Sequence, residues 1–128
     1  NRAIIRGDIS KKEDAPYFLP PYEWYNSAIA NWTSEMGLKL INFSPGTRST
    51  ADYTYPEMGA GYRPSDEIYQ SVIDKEKTDP NGLNGFILLV HIGTDPRRTD
   101  KFYNRLDELL KELKGKGYSF VSLKELLE

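Results

Sequence analysis

The residue best suited to acid–base chemistry is His91, the only histidine in the chain. An imidazole takes up and releases a proton near neutral pH, which the other ionisable side chains do only in unusual surroundings. Cysteine is absent, which excludes a thiolate nucleophile, a disulfide and a cysteine-based zinc site. No serine lies in a nucleophile-elbow sequence. A lone histidine is more often structural than catalytic on composition alone, so its position has to decide.

That position is the end of an apolar, β-branched run over residues 86–92. Such a run is typical of a strand covered on both faces, as in parallel sheets with outer helices. Active sites of parallel α/β sheets and barrels lie at the carboxyl ends of the strands. Two further segments, residues 19–23 and 42–47, meet the same condition. We therefore expect these segments and His91 to converge on one site.

The elements that must position these segments alternate along the chain. The predicted helices span residues 22–36, 65–77, 98–114 and 122–127, and the predicted strands span residues 15–20, 38–43, 86–92 and 118–121. Ser65 and Ser122 are expected to cap their helices, and Trp24 and Trp32 share a helix face that we expect to be buried. The order favours an α/β fold of one domain over residues 1–128, with parallel strands.

Composition narrows the choice of partners. Lys and Arg number 17 against 19 Asp and Glu, so the chain lacks the basic field that nucleic acid requires. The longest apolar run is far shorter than the roughly 18 to 20 residues of a membrane span. A long loop over residues 44–64 contains Tyr53, Tyr55 and Tyr62. These tyrosines either stack on sugar rings or pack against the body of the protein.

Two motifs resemble those of the polysaccharide deacetylases. Residues 88–91 (Leu-Leu-Val-His) are similar to the last motif of that family, and residues 18–22 (Phe-Leu-Pro-Pro-Tyr) are similar to its third motif. The order of elements between them and the Gly-Tyr-x-Phe-Val sequence at residues 117–121 also match. The resemblance covers residues 15–127. It implies a partial (β/α) barrel of the polysaccharide deacetylase type, mostly parallel strands with outer helices, of which this chain is the C-terminal portion.

The resemblance also implies an activity, the metal-dependent hydrolysis of N- or O-linked acetyl groups from a polysaccharide or oligosaccharide. A divalent metal, expected to be zinc, would bind water and polarise the acetyl carbonyl, an Asp would remove the proton of this water, and His91 would protonate the leaving amine or sugar oxygen. Leu89 would line the acetyl-methyl pocket, and the backbone N–H of Tyr22, held by Pro21, would donate to the oxyanion. Glu23 either orients the substrate or favours a helix start through the dipole.

The chain departs from the family in its metal ligands. The family uses one Asp and two His from earlier motifs, and a chain with one histidine cannot supply them. We therefore expect the metal-binding half to lie upstream of Asn1 and this chain alone to bind no metal and be inactive. Leu19 stands where the family has Arg. Residues 42–47 offer Phe43 as an aromatic, with no certain Asp.

The expected partners follow from the same resemblance. They are an acetylated polysaccharide and either the missing N-terminal half of the domain or another copy of the chain. The polymer substrate suggests the cell envelope or secretion. The alternative function is a catalytically inactive carbohydrate-binding module or pseudoenzyme on the same fold.

Overall fold

The protein is described by a computed structural model that covers residues 16–128. These residues belong to two compact units. The first ends at Phe43, and the second runs from Ser44 to Glu128. Residue 15, the predicted start of the first strand, lies outside the described residues.

The first unit contains two short parallel strands, β1 (Tyr17–Phe18) and β2 (Lys39–Leu40), joined by helix α1 (Ser27–Glu35). The predicted order of strand, helix and strand is confirmed. Two parallel strands need a crossover connection, and α1 lies in it. Backbone bonds from Lys39 N to Pro16 O and from Ile41 N to Phe18 O continue the pairing. The two prolines at residues 20–21 follow β1, where the missing proline N–H groups prevent a longer ladder.

Helix α1 is shorter than the sequence predicts. It begins at Ser27 because Asn26 is its N-cap, with a side chain that accepts from Ile29 N at 2.9 Å. The predicted first turn at Tyr22 is instead a 3₁₀ turn over Pro21–Glu23. The predicted burial of the two tryptophans is wrong, since Trp24 is 63% exposed and Trp32 is 59% exposed.

Three α-helices form the frame of the second unit: α2 (Ser65–Thr78), α3 (Leu106–Gly115) and α4 (Leu123–Leu127). The helix predicted over residues 65–77 is confirmed as α2. Its apolar residues at helical spacing, Ile68, Tyr69, Val72 and Ile73, are all buried. The predicted cap of α4 is also confirmed, since Ser122 Oγ accepts from Glu125 N. Within residues 16–128 no helix combines the length and the apolar character that crossing a membrane requires.

The predicted helix over residues 98–114 begins later than expected. A 3₁₀ turn (Phe102–Arg105) precedes α3, and Arg98 is buried in the loop before it. Asp100 in this loop accepts from Ser65 N at 2.6 Å, while Ser65 Oγ donates to Asp100 O. The prediction that the Ser65 side chain caps α2 is wrong, because Pro64 is the N-cap residue and Ser65 Oγ bonds to Arg98 and to Asp100 O instead of to an N–H group of the first turn.

The hydrophobic core lies between α2, α3 and the turn that precedes α3. The buried members are Ile68, Tyr69, Val72, Ile73, Phe102, Leu109 and Leu113. Leu88 and Val90, from the apolar run that ends at His91, pack against this core. The run is therefore covered by helices on at least one side, as its composition suggests.

The partial (β/α) barrel of mostly parallel strands is wrong for this chain. In residues 16–128 the only sheet is the pair β1 and β2, and neither residues 86–92 nor residues 118–121 form a regular strand. Ser44 N donates to Ile87 O and Ile87 N donates to Ser44 Oγ, which satisfies part of the first segment without a ladder. A short apolar run in a sequence indicates that the segment is buried, but not what covers it. Packing against helices meets that requirement without a neighbouring strand.

Truncating the core at Leu109 should lower the free energy of unfolding. Leu109 is fully buried, so Leu109→Ala removes buried methyl groups and leaves a cavity, at a cost of about 2–5 kcal/mol. Leu110→Ala on the exposed side of α3 is the matched control, with a much smaller expected loss. Urea unfolding of both variants measures the difference, and equal losses would contradict the observed core.

Tyr69 should make stability fall at alkaline pH. Burial, followed by the hydrogen bond from Tyr69 Oη to Glu112 Oε2 (2.5 Å), raises the pKa of Tyr69 to about 12. The folded protein keeps this proton to a higher pH than the unfolded chain, so the free energy of unfolding falls as pH rises from about 10 toward 12, by on the order of 2 kcal/mol. Tyr69→Phe should flatten this fall, whereas Tyr103→Phe at an exposed position should not.

Candidate functional site

His91 lies in the second unit and is bound twice by one carboxylate. Its Nδ1 is 2.5 Å from Asp52 Oδ1, and its backbone N–H donates to Asp52 Oδ2 at 2.6 Å. An ionised carboxylate only accepts hydrogen bonds, so Nδ1 carries the proton of this contact. The Asp52 side chain is 1% exposed and that of His91 is 37% exposed. The arrangement therefore fixes the ring and leaves Nε2 as the nitrogen for a substrate.

Asp52 is held by the local structure of its loop. A 3₁₀ turn (Ser49–Ala51) precedes it, and Asp52 N donates to Ser49 O at 3.2 Å. Thr54 binds Ala51 O through both its backbone N–H and its Oγ1, at 3.0 and 2.6 Å. Ser49, Asp52 and Thr54 are all buried. These bonds within residues 49–54 hold the Asp52 carboxylate in place.

Tyr53 lies beside the imidazole. Its ring meets that of His91 edge to face, with centroids 5.8 Å apart and an angle of 73° between the planes. Tyr53 is also exposed, so one part of its ring contacts His91 and another faces solvent. The two roles that the sequence leaves open for the loop tyrosines, stacking on sugar rings and packing against the protein, stay open for Tyr53.

The loop that follows His91 is fixed by charged side chains. Lys101 Nζ donates to Thr94 Oγ1 at 2.8 Å and to the carbonyl of Asp95 at 2.9 Å. Arg97 binds Asp95 through Nε and Nη2 and stacks on Tyr55, with its guanidinium carbon 3.9 Å from the ring centroid. The Arg97 bonds lower the pKa of Asp95 to about 2, so its carboxylate stays ionised at any ordinary pH.

The predicted substrate-binding residues Pro21, Tyr22 and Glu23 form the 3₁₀ turn of the first unit. Tyr22 and Glu23 have φ values of 56° and 57°, in the left-handed region that non-glycine residues avoid. Tyr22 is 94% exposed. Asn42 Nδ2 donates to Glu23 O at 2.9 Å and holds this conformation. Strain of this kind is found most often at functional sites. The substrate-binding role expected for these three residues stays a prediction.

Leu89 lies two residues before His91 and is half-buried. Its contact with an acetyl methyl group stays a prediction. The convergence of Tyr22 with His91 also stays a prediction, because the two residues belong to different units.

The described residues do not provide a metal site. Within residues 16–128 no three or more His, Asp and Glu side chains are grouped so that they could hold a metal ion. Asp52 and His91 also engage each other through Nδ1 and both carboxylate oxygens. The divalent metal implied by the resemblance stays a prediction.

Asp52 is the functional residue that sequence reasoning missed. The sequence offered no certain Asp in residues 42–47, and Asn42 of this segment binds Glu23 in the first unit. Asp52 lies 39 residues before His91, so no local pattern joins them. The one available signal is chemical, because an imidazole with a fixed orientation needs an acceptor for its second nitrogen.

Comparison of the chain with protein-family profiles, with curated proteins and with solved structures finds no match in any of the three. The geometry around His91 and the motifs that resemble the polysaccharide deacetylases are therefore the basis for a proposal about function.

Replacing Asp52 by Asn should change the state of the His91 ring. The site needs two acceptors, for Nδ1–H and for the backbone N–H, and a carboxamide supplies one acceptor and one donor. In ¹⁵N NMR spectra, Asp52→Asn should replace the single Nδ1–H tautomer of His91 by a mixture. Asp74→Asn, at an exposed position on α2, should leave the spectrum unchanged. An unaltered His91 tautomer in Asp52→Asn would show that the contact does not orient the ring.

Proposed function

We propose that His91 is the general acid of a hydrolase that removes N- or O-linked acetyl groups from a polysaccharide or oligosaccharide. The observation that carries the proposal is the pairing of a partly exposed imidazole with a buried carboxylate, Asp52. This arrangement is the one that general acid–base catalysis by histidine uses, with one ring nitrogen held and the other directed at the substrate. The motifs at residues 18–22 and 88–91 supply the substrate class through the resemblance.

His91 acts through Nε2 in this proposal. The protonated ring donates from Nε2 to the departing amine nitrogen or sugar oxygen, and Asp52 balances the positive charge while it holds Nδ1. Tyr53 covers one edge of the ring and presents an aromatic surface next to the reacting group. The divalent metal of the resemblance, expected to be zinc, would have to be held by ligands outside residues 16–128.

A second candidate function is binding of an acetylated polysaccharide without hydrolysis. The observation that favours it is an apolar groove of about 430 Å³ in the first unit. Trp24 and Trp32 line this groove, and both are largely exposed. Exposed indole rings bury large apolar area against a ligand, and the apolar face of a sugar ring is one such ligand.

His91→Ala should reduce acetate release from acetylated oligosaccharides by on the order of 10²-fold or more, the usual effect of losing a general acid. The assay uses the full-length protein with zinc present, because the 128-residue chain alone is expected to be inactive. Metal content is measured on the same samples and should not change. Gln70→Ala, at an exposed position on α2, is the control and should keep the full rate.

Three other outcomes would contradict the proposed role. Loss of metal in His91→Ala would make His91 a ligand, and an unchanged rate would remove it from the reaction. Calorimetric binding of acetylated oligosaccharides without acetate release by the full-length protein, at any zinc concentration, would favour the binding function instead. In that case Trp32→Ala should weaken binding, whereas His91→Ala should not.

A further inference from the structure

Arg98 is buried at the point where three segments of the second unit meet. Its side chain is 0% exposed. Nη1 donates to Thr54 O at 2.6 Å and to Arg63 O at 3.0 Å, and Nη2 donates to Ser65 Oγ at 3.1 Å. The guanidinium thus joins the loop after His91, the loop that carries Asp52 and the start of helix α2.

These contacts are a costly way to stabilise a fold. All three acceptors are neutral, and Nε is buried without a hydrogen-bond partner. Within residues 16–128 the only carboxylate oxygen at ion-pair distance is Asp100 Oδ2, 4.0 Å from Nη2, and its side chain is 45% exposed. A buried charge with such partners contributes less to stability than an apolar side chain of similar volume does. The burial of Arg98 therefore needs an explanation other than the stability of the fold.

The hydrogen bonds of Arg98 connect it to the segment that carries Asp52. Thr54, whose carbonyl Arg98 binds, also bonds twice to Ala51 O, the carbonyl of the residue before Asp52. Thr54 Oγ1 accepts from Arg63 N, and the carbonyl of Arg63 is the second acceptor of Arg98 Nη1. Arg98 itself lies in the loop that follows His91. One side chain thus ties the segment of the carboxylate to the segment of the imidazole.

We propose that Arg98 is a positioning residue that holds Asp52 at hydrogen-bond distance from His91 by joining their two loops. The inference rests on the proposed function of His91. The planar guanidinium reaches Thr54, Arg63 and Ser65 from two nitrogens in a fixed fork, and a lysine ammonium cannot bind all three in that geometry. Loosening this contact separates Asp52 from His91, because both bonds between them are short and depend on the loop register.

The test is an NMR spectrum of the His91 ring, which reports this pair without requiring turnover. In the wild-type chain the proton between Nδ1 and Asp52 should resonate far downfield, with ¹⁵N shifts of a single tautomer. We expect Arg98→Met and Arg98→Lys to lose the downfield signal and show mixed tautomers. Ser65→Ala removes one of three acceptors and keeps the guanidinium, so a partial loss is expected even if the larger changes prevent folding.

Leu109→Ala is the control for a purely structural role. It removes buried apolar contacts from the core and none of the hydrogen bonds of Arg98, Asp52 or His91, so it should lower stability and keep the His91 signal. Arg98 variants that lose stability and keep the signal would overturn the proposal, as would a signal in Ser65→Ala identical to that of the wild type. Absence of the signal in the wild type would overturn the pairing and the proposal together.

The same spectra separate this inference from the proposed function. If no acetate is released but the Arg98 variants lose the His91 signal, the positioning role stands and the proposed reaction fails. If acetate is released but the Arg98 variants keep both the signal and the rate, the positioning role fails and the reaction stands.

Discussion

The second unit depends on hydrogen bonds between side chains and the backbone, in places where a sheet would use a strand ladder. Asp52 binds the backbone N–H of His91, Arg98 binds the carbonyl of Thr54, and Ser44 Oγ accepts from Ile87 N. Buried backbone groups must find partners, and these loops have no ladder to supply them. Two of these side chains, Asp52 and Arg98, also belong to or support the candidate site around His91.

Helix α2 provides the rigid reference for these loops. Its apolar face packs against α3 in the core, and its first residue, Ser65, is buried next to Arg98 and Asp100. Asp100 satisfies the Ser65 N–H, and the Ser65 hydroxyl accepts from Arg98 and donates to the carbonyl of Asp100. Side chains on loops are held accurately in position only if a rigid element fixes the loops. Here that element is the well-packed start of α2.

How far the sequence could predict this arrangement depended on the range of each signal. The stripe at Ile68, Tyr69, Val72 and Ile73 repeats within one helix, so both α2 and its buried face were predictable. The run at residues 86–92 reports only burial, and it was wrongly assigned to a parallel strand. Helical spacing likewise predicted one face for Trp24 and Trp32, but Trp24 precedes α1, and the spacing does not say what covers Trp32. His91 was recognisable because it is unique, whereas Asp52 was not, because their contact leaves no trace in the intervening sequence.

Local rules of stability are broken in both units close to the motif residues. In the first unit Tyr22 and Glu23 adopt left-handed backbone angles, which cost on the order of 1–3 kcal/mol each, and Asn42 holds Glu23 in place. In the second unit Arg98 is buried with neutral acceptors only seven residues after His91. Proteins accept such local costs mainly where a side chain has to be presented in one geometry. The strained turn presents an exposed Tyr22. The buried Arg98 joins the loop that carries Asp52 to the loop that follows His91.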